Sequence, residues 1–168
     1  ITAHGFTWEY MTMTGVACFA LQRNIYQKPP RWCRSFANNA LQKLRQAVEG
    51  GKTDCDAYCM LLLAEECALR TMKNGSNNNS NKNNVEKEDG IRAVKAAYDA
   101  AARTAKEAGM IQFEAVALER AGRTFLELHH RDLAQKYLSE AHDTFLDWGS
   151  EAKCDHLDRF MRHRMLRT

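Results

Sequence analysis

The sequence predicts an all-α chain of about seven antiparallel helices. Three observations carry that expectation. Gly and Pro number only 9 and 2 among 168 residues, too few for the many tight turns of a β-sandwich or barrel. Apolar residues recur at i, i+3 and i+4 through most of the chain, the period of one helix face. Glycines fall just past two of those periodic stretches, where a left-handed residue closes a helix.

Taken in order, the first helix covers about 6–27 and the second about 30–49, opened by Pro29-Pro30, where a missing N–H costs nothing. Gly50-Gly51 ends the second helix, and Asp54 is placed to cap the third, about 54–72. Residues 73–90, KNGSNNNSNKNNVEKEDG, stand apart, with seven Asn in the first twelve positions and Val85 as their only hydrophobic residue. Such a segment cannot bury enough surface to offset its ordering entropy, so it is expected to be a disordered insert. Its two Asn-x-Ser matches, at Asn74 and Asn78, are of the kind that Asn-rich runs produce by chance. The fourth helix, about 89–108, carries Val94, Ala97, Tyr98, Ala101, Ala102 and Ala105 on one face and stops at Gly109. The fifth covers about 111–129, and the sixth, about 132–148, repeats the stripe with Leu133, Ala134, Tyr137, Leu138, Ala141 and Phe145 before Gly149. A seventh helix, about 150–165, lies in a terminal capping or linker segment, 150–168. Connections other than the insert are short, so successive helices should run antiparallel within one helical-repeat domain, 1–168. The opening Ile-Thr-Ala-His, without an initiator Met, a basic n-region or an apolar h-region, points to a piece of a longer polypeptide.

Composition excludes several function classes. The 24 basic and 21 acidic residues are spread along the chain, and a net charge of +3 offers no concentrated basic face for nucleic acid. The longest apolar run, Ala57 to Ala64, is eight residues against the roughly 20 of a membrane span. The six Cys read as buried thiols of a reducing, cytoplasmic compartment, because a chain of this length builds a core without disulfide staples.

An internal repeat is visible. A shift of 40 residues lays Ala101, Thr104 and Gly109 on Ala141, Thr144 and Gly149, with Tyr98 on Leu138 and Val94 on Ala134. Leu118, Ala121-Gly122, Phe125, Ala134, Leu138 and Ala141 stand at the spacing of the tetratricopeptide repeat, and the chain resembles that family here. Small residues at Gly122, Ala134 and Ala141 would let two antiparallel helices approach closely while larger ones fill the gaps. The resemblance implies a right-handed superhelix of helix pairs. In this register Gly122 to Ala141 spans 19 residues and the preceding equivalent, Ala64 to Ala101, spans 37. The surplus equals the length of 73–90, so the insert belongs at the turn within one helix pair, where closure entropy grows only slowly with length.

Tyr98-Asp99 with Ala101, Ala105 and Gly109, then Glu114-Ala115, Ala134, Tyr137-Leu138, Ala141 and the Trp148-Gly149-x-x-Ala152-Lys153 ending form a longer pattern. Over 98–153 it resembles the helical-repeat region of very large signalling ATPases. Those proteins join a protein-kinase-like or AAA-type ATPase portion to downstream GAF and histidine-kinase domains. Arg31-Trp32, Leu41, Leu44 and Leu61 to Glu65 look similar to the preceding unit of that region, so the likeness extends from Trp32 to Leu157. The Asn-rich insert and the basic tail after Leu157 depart from it. The resemblance implies a spacer and interaction scaffold with no catalytic residue, cofactor or metal of its own. Its partners would be other domains of the same polypeptide or separate proteins, with no nucleic acid, membrane or small-molecule substrate.

The remaining motifs are weighed against ordinary structural roles. Gly51-Lys52-Thr53 looks like the end of a phosphate loop, but position 46 is Gln and a helix, not a strand, precedes it. Glu127-x-x-His130 has the spacing of a di-iron ligand pair, yet only one copy exists. His129 or His130 as a phospho-accepting histidine requires an exposed position in mid-helix. Cys55, Cys59 and Cys67 lack the further ligands of a zinc site, with only the distant Cys154-x-His156 to recruit. Arg159, Arg162, His163, Arg164 and Arg167 read as the solvated face of the last helix.

The candidate interaction groove is Val116, Glu119, Arg123, Leu126 and Glu127, on the first helix of the best-matched pair. The same residues could equally form an exposed face held by i, i+4 ion pairs, Glu119 with Arg123 and Arg123 with Glu127. The expected function is a non-catalytic scaffold for protein–protein or interdomain contact in a large ATPase or sensor-kinase signalling protein. A freestanding peptide-binding adaptor and a histidine phosphotransfer module are the alternatives.

Overall fold

The structure, a computed structural model, describes residues 4–24, 28–76 and 84–165. These form seven α-helices and one 3-10 turn, with no strand among the described residues. The helices are α1 (His4–Arg23), α2 (Arg31–Glu49), α3 (Asp56–Ser76), α4 (Asn84–Glu107), α5 (Ile111–Glu127), α6 (Arg131–Asp147) and α7 (Glu151–Met165). The all-α expectation holds. Asp54, expected at the start of the third helix, lies inside the 3-10 turn Thr53–Cys55 that leads into α3. The chain divides into two compact units, Ile1–Ala100 and Ala101–Thr168, where the sequence suggested one domain.

In the first unit, the stripe Cys33, Ala37, Ala40, Leu41, Leu44 and Ala47 buries one face of α2. Gly15 lets α1 approach its neighbours, since a Cβ there would lie 3.0 Å from Leu62 of α3 and 3.7 Å from Ala40 of α2. Thr71 of α3 meets Gly90 of α4, and Glu65 meets Tyr98. Contacts paired in opposite order along the chain mean that α3 and α4 are antiparallel, and the Asn-rich segment 73–90 falls between and into them in the sequence. The segment is not irregular throughout, however. Helix α3 runs on to Ser76 and α4 starts at Asn84, while the expectation for 77–83 lies outside the described residues. Propagation explains the extension: once a helix is nucleated, each added residue brings a further hydrogen bond. Glu86 in the first turn of α4 suits its positive end, and Asp89 pairs with Arg92 one turn on.

In the second unit, α5 and α6 stack Phe125 on Tyr137 at 5.4 Å between ring centroids. Gly122 of α5 abuts Leu138 and the Ala134 carbonyl of α6, again in opposite order. Across α6 and α7, Phe145 meets Lys153 and His142 meets Asp158. The small residues at Ala134 and Ala141 are fully buried.

One turn geometry recurs. Gly109, His129 and Gly149 have φ of 69°, 63° and 81°, and they stand twenty residues apart. In each turn, the left-handed residue's N–H bonds back three residues (to Lys106, Leu126 and Leu146). The next N–H bonds back five, to Ala105, Phe125 and Phe145. This is the Schellman closure, and Gly51 and Lys52 form it after α2 too. The forty-residue repeat is thus two helix-and-turn units of equal length.

Candidate interaction face

Helix α5 is rich in alanine, and its turns at Ala115, Ala117, Ala121 and Gly122 are buried. Glu119 is buried among them, an unusual place for a carboxylate unless it is neutralised. Both of its oxygens are engaged. Arg123 Nε and Nη2, one turn on, each lie 2.9 Å from Oε1, and Lys153 Nζ of α7 lies 2.9 Å from Oε2. Arg123 also stands 3.0 Å from His156 Nε2 and 4.1 Å above the Phe160 ring, while Lys153 sits 5.1 Å from the Phe145 ring. Burial pushes the Glu119 carboxyl up, but Lys153 and then Arg123 outweigh it and hold the group below the ordinary carboxylate range.

Two of the five residues of the candidate groove take part in this arrangement. Glu119 and Arg123 do form the i, i+4 ion pair, but α7 lies over them rather than leaving them open to a ligand. Val116 and Leu126 are half-buried, and Glu127 is exposed at the end of the helix. A carboxylate saturated by two cations is neither a free base nor a nucleophile. Its role in this geometry is to fasten α7 to α5.

The other candidates fall into structural positions. Gly51, at φ 84°, ends α2, and Lys52 lies 5.7 Å from the Trp8 ring centroid. Helix α5 ends at Glu127, so Glu127 and His130 do not share a helix face as ligands would need. His129 is the left-handed turn residue and His130 the N-cap of α6, so neither is in mid-helix. An open cleft of about 370 Å³ beside them is lined by five consecutive residues, His129 to Leu133, and is a dent in the turn rather than an enclosed site. All six cysteines are free thiols, and only Cys67 is not fully buried. Burial, with a hydrogen bond to Cys33, pushes the Cys18 thiol up to about 12. Arg159, Arg162, His163 and Arg164 are exposed on α7.

A second buried charge escaped the sequence reading. In the first unit, Glu65 accepts from Arg23 at 2.6 Å and from the Tyr98 hydroxyl at 2.9 Å, with the two charged side chains wholly buried. Its signal was a charge directly after the apolar run that ends at Ala64. Its partners, 42 and 33 positions away, had none.

No protein-family model, curated protein or solved structure matches the chain.

Proposed function

We propose that the chain is a tetratricopeptide-like helical-repeat scaffold, without catalysis of its own, for interdomain or protein–protein contact. The observation that carries this reading is the close approach of α5 and α6 at Gly122, where a Cβ would meet Leu138 at 2.6 Å. The small residues of that repeat pattern serve such a crossing. Turns of one geometry at twenty-residue intervals support it, since equal units joined alike build a regular superhelix. The parent would be a large ATPase or sensor-kinase signalling protein of the cytoplasm, in which this segment joins an upstream nucleotide-hydrolysing portion to a downstream output domain. Six free thiols suit a reducing compartment, and no described helix is long and apolar enough to cross a membrane. Placement of α7 over Glu119 and Arg123 weighs against a freestanding adaptor that would use that face. The test is the sequence of the full reading frame. An ATPase motif upstream with a GAF or histidine-kinase signature downstream is expected, and a frame without either overturns this parentage.

A further inference from the structure

Two of the six free cysteines stand together in the core of the first unit. Cys18 of α1 and Cys33 of α2 are 1% and 0% exposed, and their side chains share a hydrogen bond. The helices that carry them approach closely. One turn before Cys18, Gly15 has no side chain, and a Cβ there would lie 3.7 Å from the Ala40 Cβ of α2. Cys33 belongs to the stripe that α2 buries, with Ala37 and Ala40 one and two turns further on. Positions 18 and 33 are 15 residues apart, so a bond between them would close a ring around the connection from α1 to α2. The remaining thiols have different neighbours: the side chains acting on Cys55, Cys59, Cys67 and Cys154 are carboxylates, cations and the Thr71 hydroxyl.

We propose that Cys18 and Cys33 form a redox site, which a low-molecular-weight disulfide such as glutathione disulfide converts to an intramolecular bond pinning α1 to α2. One protein thiolate attacks a sulfur of the small disulfide, releasing one glutathione thiolate and leaving a mixed disulfide. The other protein thiolate displaces the second glutathione and closes the Cys18–Cys33 bond. Two protein thiols are oxidised, one glutathione disulfide is reduced to two thiols, and the two thiol protons pass to the departing thiolates. Burial, with the bond to Cys33, raises the Cys18 thiol to about 12, so the pair is inert while the helices are packed. Attack begins when α1 opens from α2, and reclosing returns the two sulfurs to each other. The pair stays reduced in a reducing compartment, and the bond records a change to oxidising conditions. Once closed, the ring restricts the unfolded chain and stabilises the folded unit. The inference is independent of the proposed superhelix, because it uses only α1 and α2.

A redox titration of the whole chain tests the site, in glutathione buffers running from fully reduced to fully oxidised. At each step free thiols are blocked with a maleimide in denaturant, and the digested protein is mapped by mass. The map is expected to show a peptide pair joined through Cys18 and Cys33, which excess reduced glutathione separates again. The joined form should melt at least about 5 °C above the reduced one, as closure of a loop of this length implies. That rise should vanish in Cys33→Ala, where no partner remains for Cys18. Cys18 and Cys33 staying free across the whole titration would overturn the proposal. So would a protein disulfide formed only between other cysteines, an oxidised chain that melts no higher than the reduced one, or an equal rise in Cys33→Ala. If Cys33→Ala does not fold, the map and the melt of the natural chain decide the question by themselves.

Discussion

Gly122 and Leu138 are so close that a Cβ at residue 122 would sit 2.6 Å from Leu138 Cγ and 2.9 Å from its Cδ2. Leu138 is fully buried and the Ala134 carbonyl stands 3.1 Å from the same point, so neither neighbour has room to retreat. The crossing of α5 and α6 is set by this absence of a side chain.

Gly122→Ala should therefore destabilise the second unit, although alanine is the better helix former by about 1 kcal/mol. Overpacking costs about 1–3 kcal/mol and should win by up to about 2 kcal/mol, read as a lower midpoint in urea at unchanged slope. The double variant Gly122→Ala/Leu138→Ala should relieve the clash but open a cavity, so it should be no more stable than Leu138→Ala alone by more than the propensity gain.

His129 occupies the position that Gly109 and Gly149 fill one unit earlier and later, and its φ of 63° strains a residue with a Cβ. His129→Gly should stabilise the protein by about 0.5–1 kcal/mol, and a thermal melt checks it. A loss of stability would show that the imidazole does more at this turn than tolerate it.

The Glu119 carboxyl is held below its ordinary range, which fixes a pH dependence. A depressed folded-state pKa contributes stability that is fully present above the unfolded value, about 4.3, and is lost as pH falls through the folded value. Denaturation at neutral and acid pH should show this loss in the natural protein and less of it in Glu119→Gln. That variant should itself be about 1–2 kcal/mol less stable at pH 7, since Lys153 and Arg123 lose their counter-charge. The partial exposure of Lys153, 42%, keeps the figure below that of a fully buried pair.

Arg23 and Glu65 form such a fully buried pair. Glu65→Ala should cost about 3–5 kcal/mol because it strands the guanidinium, whereas Arg23→Met/Glu65→Leu should recover most of that loss. A double-mutant cycle by denaturant titration measures the difference.

Local chemistry made most of the fold legible. The apolar stripes of α4 and α6 and the glycines at 51, 109 and 149 act within one or two turns, so they mark helices and their ends in the sequence itself. His129 hid the matching turn, because the geometry at that position comes from the backbone bonds to Leu126 and Phe125 and not from a telltale residue. The ends of the Asn-rich segment are helical for a related reason. Composition describes an isolated stretch, while α3 and α4 extend into it from helices already formed. The contacts of the candidate face act at a longer range. Glu119 with Arg123 is readable at i, i+4, but Lys153, His156 and Phe160 arrive from a helix some thirty residues on, and nothing at Glu119 announces them.

Within the second unit, helices α5, α6 and α7 follow one another through turns of one geometry. Residual dipolar couplings measured along these three helices give each axis in a common frame. The rotation that carries α5 onto α6 should also carry α6 onto α7. Unrelated rotations for the two successive pairs would contradict a repeat of equal helix-and-turn units.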